Sequence, residues 1–108
     1  MSTGVRLVFT TVPEVALAER LACKLIEAGL AACVKTLPAC QSTYRWEGRI
    51  AHATEIPLMI VTSAEHYAEL ESQLRDAHPY DIPEILAVDC SDGLPDYLRW
   101  ALAAGVDH

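Results

Sequence analysis

Apolar positions in the first third of the chain change from a strand-like run to helical spacing. The run "VRLVFTT", Val5 to Thr11, is short and rich in β-branched residues, which predicts a strand. Thr11 followed by Glu14 predicts the capped start of a helix, and Gly29 predicts its end. The apolar positions in between recur with the period of a helix, at Val15, Ala18, Leu21, Ala22, Leu25 and Ile26.

A long extended region follows the first helix and folds back on itself. Its arms, "LAACVKTLPACQSTYRWEG" and "RIAHATEIPLMIVTS", meet at an "EG" turn and predict one long β-hairpin. Pro38 and Pro57 each remove a backbone donor, so each marks a bulge or an edge position. Alternation near the turn places Tyr44 and Trp46 on one face, and Thr43, Arg45 and Glu47 on the other.

The remaining third of the chain predicts a helix, a strand and a last helix. "SAEHYAELESQLRDAHP" has a helical stripe of Tyr67, Leu70 and Leu74, with Ser63 as N-cap and Pro79 as terminator. "EILAVDC", at positions 84–90, predicts a strand, and the proline of "GLPDYLRWA" opens a short final helix.

The order of these elements indicates an α+β fold. Two βαβ units joined by a hairpin form a ferredoxin-like βαββαβ sandwich, in which both helices cover one face of an antiparallel sheet. We therefore predict a single domain, residues 1–108, with this sandwich, an extended β-hairpin and an added C-terminal helix.

The hairpin is too long for one chain of this size to cover. Each arm has about 15 residues and spans on the order of 50 Å, whereas the radius of gyration of such a domain is about 13 Å. The ribbon must either bend at its prolines or project from the domain with Tyr44, Trp46 and Ile50 exposed. We expect the projecting form to pair with strands of other copies of this chain.

Composition and charge remove several classes of function. The net charge of −7 disfavours binding to nucleic acid or to an anionic membrane, because phosphates are bound by clustered Lys and Arg. A secretory leader and an apolar segment of membrane-spanning length are both missing from the sequence, so we predict a cytoplasmic protein. The four cysteines form no C-x-x-C pair and are predicted to be buried apolar residues: Cys23, Cys33, Cys40 and Cys90.

The segment "HPYDIPEIL" is the one loop that resembles a site. His78 lies at the end of the second predicted helix, where the helix dipole favours its protonated form. Two readings stay open: a rigid turn that feeds a strand, or a set of polar groups that converge on a ligand. The other histidines, His52, His66 and His108, are scattered and do not pair at metal-ligand spacing.

Four motifs in register carry a resemblance to a known family. "LAACV", "YRWEGRI", "HPYDIPEIL" and "DYLRWA", in this order and spacing, resemble the CutA family of divalent-cation tolerance proteins. The resemblance covers nearly the whole chain. It implies the ferredoxin-like fold, a homotrimer in which long strands extend across subunits, and a role in tolerance of copper or another divalent cation.

The resemblance also implies where a metal and a ligand would bind. The family's proposed copper ligands are a cysteine near the end of the first strand and a histidine pair before "PY". Their positions here are Thr10 and Ala77-His78, so His78 alone remains as a metal ligand. Cys33, in the "AACV" motif, is expected to be a buried strand residue. The predicted cleft between subunits is lined by Tyr44, Trp46, Glu47, His78, Tyr80, Asp81 and Glu84.

Three functions are compatible with these features. The first is a trimeric cation-tolerance protein that binds divalent metal weakly at subunit clefts. The second is a regulatory module like the trimeric PII signal proteins, with a small anion or nucleotide as ligand. The third, a small hydrolase, is least favoured because "TTVPE" after the first strand has no anion-holding arginine, so we predict a protein that is not an enzyme.

Overall fold

Five strands and three helices follow one another in this computed structural model, which describes residues 2–106. The strands of the sheet lie in the order β2-β4-β1-β5, and β3 pairs with the far end of β4. All pairs are antiparallel, so the predicted ferredoxin-like sandwich is confirmed. The elements are β1 (Val5–Val12), α1 (Val15–Glu27), β2 (Cys33–Thr36), β3 (Cys40–Trp46), β4 (Arg49–Ser63), α2 (Tyr67–Ala77), β5 (Ile85–Asp89) and α3 (Pro95–Leu102).

The main core lies between the sheet and the helices α1 and α2. Alternate residues of β1 and β4 point into it, because successive strand side chains face opposite sides of the sheet. Leu21 and Leu25 of α1 and Leu70 and Leu74 of α2 meet them from above. The strand residues of this core are Val8, Val12, Ile56, Leu58 and Ile60.

Helix α3 packs on the opposite face of the sheet. Its Ala101 is buried against Val5 and Val61, with Leu98 beside them. This smaller core covers one end of that face. At the other end, the neighbours Phe9, Met59 and Leu86 form an apolar row that no described helix covers, and Leu86 is 60% exposed.

A one-residue bulge separates the hairpin into two parts. Thr36 pairs with Leu58 and Cys40 pairs with Glu55, so three residues of one arm oppose two of the other. Pro57 lies opposite the insertion and accepts a 2.9 Å hydrogen bond from the Leu37 amide. The missing donor of Pro57 therefore faces the irregular part of its partner strand, as predicted.

Beyond the bulge the hairpin projects from the domain. Most residues of β3 and of the first part of β4 are exposed, and the longest dimension of the chain is 45 Å. Glu47 and Gly48 close the tip with φ angles of +51° and +78°, the left-handed pair that a two-residue type I′ turn requires. The predicted projecting ribbon is confirmed.

Two predicted helix starts are wrong. Thr11 does not cap α1, because β1 continues to Val12, which pairs with Ile56, and the helix begins after Glu14 without a side-chain cap. Ser63 likewise ends β4, so α2 begins only at Tyr67. The Ser63 hydroxyl nevertheless accepts the backbone N–H of His66, which is the local bond that made it resemble an N-cap.

The burial predicted for the cysteines is wrong for two of them. Cys23 is exposed because it lies between Leu21 and Leu25 in sequence, on the outer side of α1. Cys40 is exposed because it lies on the projecting hairpin, whereas Cys33 and Cys90 are half-buried beside the α3 core.

His108 lies outside the described residues, and no helix within residues 2–106 has the length and apolarity to cross a bilayer.

Adjacent positions on α1 test the packing of the main core. Leu25 is fully buried and Ile26 is 41% exposed. We expect Leu25→Ala to lower the free energy of unfolding by about 2–5 kcal/mol, because it removes buried methyl groups and leaves a cavity. Ile26→Ala is the matched control and should cost less than about 1 kcal/mol. Denaturant unfolding at one fixed protein concentration measures both, and equal losses would contradict this assignment of the core.

Candidate functional site

A cleft of about 780 Å³ lies where the hairpin meets the loop between α2 and β5. Its floor is formed by residues on the face of the sheet that α1 and α2 do not cover. One wall is the hairpin, and the other is the loop between α2 and β5, which contains two prolines. The lining residues are Thr11, Ser42, Thr43, Tyr44, Trp46, Glu55, Pro79, Tyr80, Asp81, Ile82, Pro83 and Glu84.

Glu55 is the most buried charged group of the cleft. It is only 6% exposed, and its Oε2 accepts a 3.2 Å hydrogen bond from the Thr11 hydroxyl. The ion pairs among residues 2–106, Arg6 with Asp89 and Arg99 with Asp96, both lie elsewhere. Glu55 is therefore a buried carboxylate whose protein partners are hydroxyl groups and not cations.

His78 lies behind the cleft and fixes the loop to β1. Its Nε2 donates a 2.7 Å hydrogen bond to the carbonyl of Thr11, and its Nδ1 accepts a 3.1 Å bond from the backbone N–H of Tyr80. Both ring nitrogens of His78 therefore have a backbone partner, one on β1 and one in the loop itself. The protonated form that the helix dipole favours stays a prediction.

Tyr80 connects the histidine to the buried carboxylate. Its ring centroid lies 4.7 Å from that of His78. Burial raises the pKa of the Tyr80 phenol, and the hydrogen bond to Glu55 and the charge of Glu55 raise it further. Thr11, His78, Tyr80 and Glu55 thus form a closed ring of contacts, with one member on β1, one on β4 and two at the start of the loop.

The aromatic wall of the cleft comes from the hairpin. Tyr44 pairs with Ala51 and Trp46 with Arg49, which places both aromatic side chains on the same face as Glu55. Each is 44% exposed, and Tyr80 opposite them is 37% exposed. The cleft therefore has three large aromatic surfaces that are still accessible to a ligand.

Five of the residues predicted to line a cleft between subunits line this cleft within one chain. Tyr44, Trp46, Tyr80, Asp81 and Glu84 do so. Glu47 does not, since it forms the turn at the tip of the hairpin, and His78 supports the wall from behind.

The other positions that the resemblance singled out lie apart from the cleft. Cys33 is on β2, half-buried near α3. Thr10 is buried opposite Leu58, on the face that α1 and α2 cover, and its hydroxyl has no hydrogen-bond partner among residues 2–106. Ala77 packs against the same helical core.

Glu55 and Thr11 are the residues that sequence reasoning missed. The sequence predicts Thr11 as a helix cap, and nothing in its patterns singles out Glu55 within the hairpin arm. The pattern did contain one indication: in "ATEIPLMIV" a single charge stands directly before a long apolar run. Because the residues after it are buried in the core, Glu55 lies at the edge of the core and is itself buried.

A complete metal centre is not formed by the described residues alone. Within residues 2–106, no three His, Cys, Asp or Glu side chains lie close enough together to hold a metal ion. A divalent ion needs several ligands, and a set of that size is not present within residues 2–106.

Comparison with known proteins places this geometry in context. The family model described as CutA1 divalent ion tolerance protein matches residues 6–104. The divalent-cation tolerance protein CutA of Pectobacterium atrosepticum is 41% identical over 97 residues, which cover 90% of this chain and 88% of that protein. The crystal structure of CutA from Xylella fastidiosa has a TM-score of 0.88 and 45% identity, and the match covers 91% of this chain and 94% of that one.

A second structural relative bears on the cellular compartment. The periplasmic divalent cation tolerance protein CutA from Archaeoglobus fulgidus has a TM-score of 0.86 and 35% identity, with 90% of this chain and 94% of that chain covered. Since that relative is named as periplasmic, the fold does not by itself fix the compartment. The cytoplasmic location expected for this chain stays a prediction.

Tyr80 makes the stability of the folded chain depend on pH in the alkaline range. Its pKa in the folded chain is raised above 10.0, so the unfolded state loses the phenol proton first as the pH rises. The stabilising contribution is complete below pH 10.0 and is lost as the pH rises through the raised pKa. We expect wild type to lose stability relative to Tyr80→Phe in urea unfolding above pH 10.0. The change in this stability difference with pH should be smaller when both chains also carry Glu55→Gln. A stability difference that does not change with pH would contradict the raised pKa of Tyr80.

Proposed function

This chain belongs to the CutA1 divalent ion tolerance family, and we propose that it is a homotrimer that holds divalent cations weakly at clefts between its subunits. The observation that carries this proposal is the charge of the cleft. Glu55, Asp81 and Glu84 line it, and none of its described lining residues is Lys, Arg or His. Such a site attracts cations.

The negative charge of the cleft argues against a PII-like regulatory module that binds a small anion or nucleotide. A nucleotide or another anion is held by Lys, Arg or backbone amides at a helix N-terminus. The described lining offers carboxylates instead, and they repel an anion. The relatives reported above are named for divalent-cation tolerance and not as signal proteins. We therefore do not retain the PII-like alternative.

The uncovered sheet face supports assembly with other copies. Leu86 and Val88 of β5 are 60% and 50% exposed on the face where Phe9 and Met59 also lie. Contiguous apolar surface of this kind is typical of protein interfaces. The floor of the cleft belongs to the same face, so a second copy seated there would adjoin the cleft.

An open strand edge supports the same assembly. Residues 56–63 of β4 pair with β1 on one side, but residues 49–55 pair only with β3 among the described strands. The free edge presents backbone donors and acceptors next to the cleft. Strand addition from another copy would satisfy these groups and would place further side chains at the cleft.

The metal ligands that we propose are carboxylates. Asp81 and Glu84 are exposed on the loop, and Glu55 lies at the floor. His78 becomes a ligand only if its bond to Thr11 or to Tyr80 is broken, so we assign it to positioning the loop. Carboxylate oxygens suit several divalent ions, and ligands from neighbouring copies would complete the coordination.

Sedimentation equilibrium tests the trimer. We expect three times the 11.8 kDa mass of one chain at micromolar concentration. Val88→Glu should shift the mass toward the monomer, because it places a charge on the proposed interface. Val15→Glu is the matched control, since Val15 is 52% exposed at the start of α1, away from that face, and should leave the mass unchanged. A monomeric wild type would refute the trimer.

Calorimetry with copper(II) and manganese(II) tests the cation site. The exposed thiols of Cys23 and Cys40 would bind copper independently of the cleft, so the titrations use a chain with both changed to serine. We expect weak binding that Asp81→Asn combined with Glu84→Gln lowers by about tenfold or more, since even outer-shell changes at metal sites cost that much. The control Glu65→Gln alters an exposed carboxylate on the helical side. Equal isotherms for all variants would refute the site.

A further inference from the structure

We propose that the inner part of the cleft binds a small organic ammonium cation, with Glu55 as its counter-charge and Tyr44, Trp46 and Tyr80 as aromatic walls. The proposal goes beyond the binding of divalent metal and concerns a different ligand. The carboxylate of Glu55 is 6% exposed, and within the described part of the chain its partners are the hydroxyl groups of Thr11 and Tyr80.

Burial of this charge demands compensation. Removing a carboxylate from water without an opposite charge is unfavourable, and neutral hydroxyl donors offset only part of that cost. The Thr11 hydroxyl and the Tyr80 phenol are such donors. These neutral donors do not cancel the negative charge of Glu55. The cleft therefore keeps a negative potential, because its described lining contains no Lys, Arg or His. A cation that enters the cleft would supply the counter-charge that Glu55 lacks.

The walls select which cation fits. Rings of Trp and Tyr attract a cation over their faces, most strongly when the cation is weakly hydrated. Tyr44 and Trp46 lie on the hairpin and Tyr80 on the opposite loop, and all three keep more than a third of their surface accessible. Aromatic carbon is a poor ligand for a hard divalent ion, but it is the usual surroundings of a substituted ammonium group.

The size and the remaining polar groups agree with this ligand class. About 780 Å³ is the volume of a small-molecule site and far exceeds that of a bare ion. The hydroxyl side chains of Ser42 and Thr43 also line the cleft, so hydrogen bonds are available to the polar part of an amino alcohol or a similar amine. The inner cleft thus combines one charge, three rings and a few hydroxyls.

Choline and its uncharged isostere 3,3-dimethyl-1-butanol test the proposal. Both are titrated into the full chain in its native assembly, with EDTA present so that metal plays no part. Binding is followed by the NMR shift of the Trp46 indole N–H, and that of Trp100 on α3 reports any nonspecific effect. We expect choline to shift Trp46 and to bind about tenfold more tightly than the isostere, because only choline carries the charge.

Two variants locate the charge and the rings. Glu55→Gln keeps the shape of the side chain and should weaken choline about tenfold, whereas the exposed-site control Glu65→Gln should not. Tyr44→Leu removes one ring and should weaken choline without weakening the isostere as much. Circular dichroism checks that each variant is folded.

Two results would overturn the proposal. Equal affinity for choline and the isostere would mean that the cleft binds apolar groups only. No response to choline would mean that Glu55 already has a counter-charge, such as a Lys or Arg from a neighbouring copy. Because EDTA is present, failure of the copper titration leaves this result unaffected, and failure of the choline titration leaves divalent metal binding unaffected.

Discussion

The buried carboxylate of Glu55 is the constraint around which this end of the molecule is organised. A charge in the low-dielectric edge of a core is stable only if donors surround it. The hydroxyl of Thr11 and the phenol of Tyr80 provide them, and His78 holds Tyr80 in place through its backbone amide. Removing one member would leave a buried polar group unsatisfied, so these contacts hold the strands and the loop in one relative arrangement.

The bulge in the hairpin decides which side chains meet this charge. In β2 the odd-numbered residue Cys33 faces the same side of the sheet as Val61, but after one inserted residue the even-numbered Tyr44 and Trp46 face that side. Since a one-residue slip moves every side chain to the other face, the insertion near Pro38 is what turns the aromatic rings toward the cleft. A local backbone irregularity thus determines the chemistry of a site several residues away.

Sequence reasoning succeeded where a short-range pattern determines the outcome. The alternation of "TYRWEG" placed Tyr44 and Trp46 on one face of the hairpin, as the strand register has them. It failed where partners are distant in sequence. Thr11 has the pattern of a helix cap, yet its hydroxyl binds Glu55, which is 44 positions away. No local propensity encodes that contact, because it exists only after β1 and β4 have paired.

The two readings of "HPYDIPEIL", a rigid turn or a site, are therefore not alternatives. Prolines reduce the conformational freedom that the loop would otherwise lose on folding, and His78 ties its first residues to β1. A wall held in this way needs little rearrangement when a ligand enters, and preorganisation of that kind raises affinity without new contacts. The stiffness of the segment and its place in the cleft wall are thus one feature, because the same contacts of His78 that hold the loop against β1 also hold Tyr80 beside Glu55.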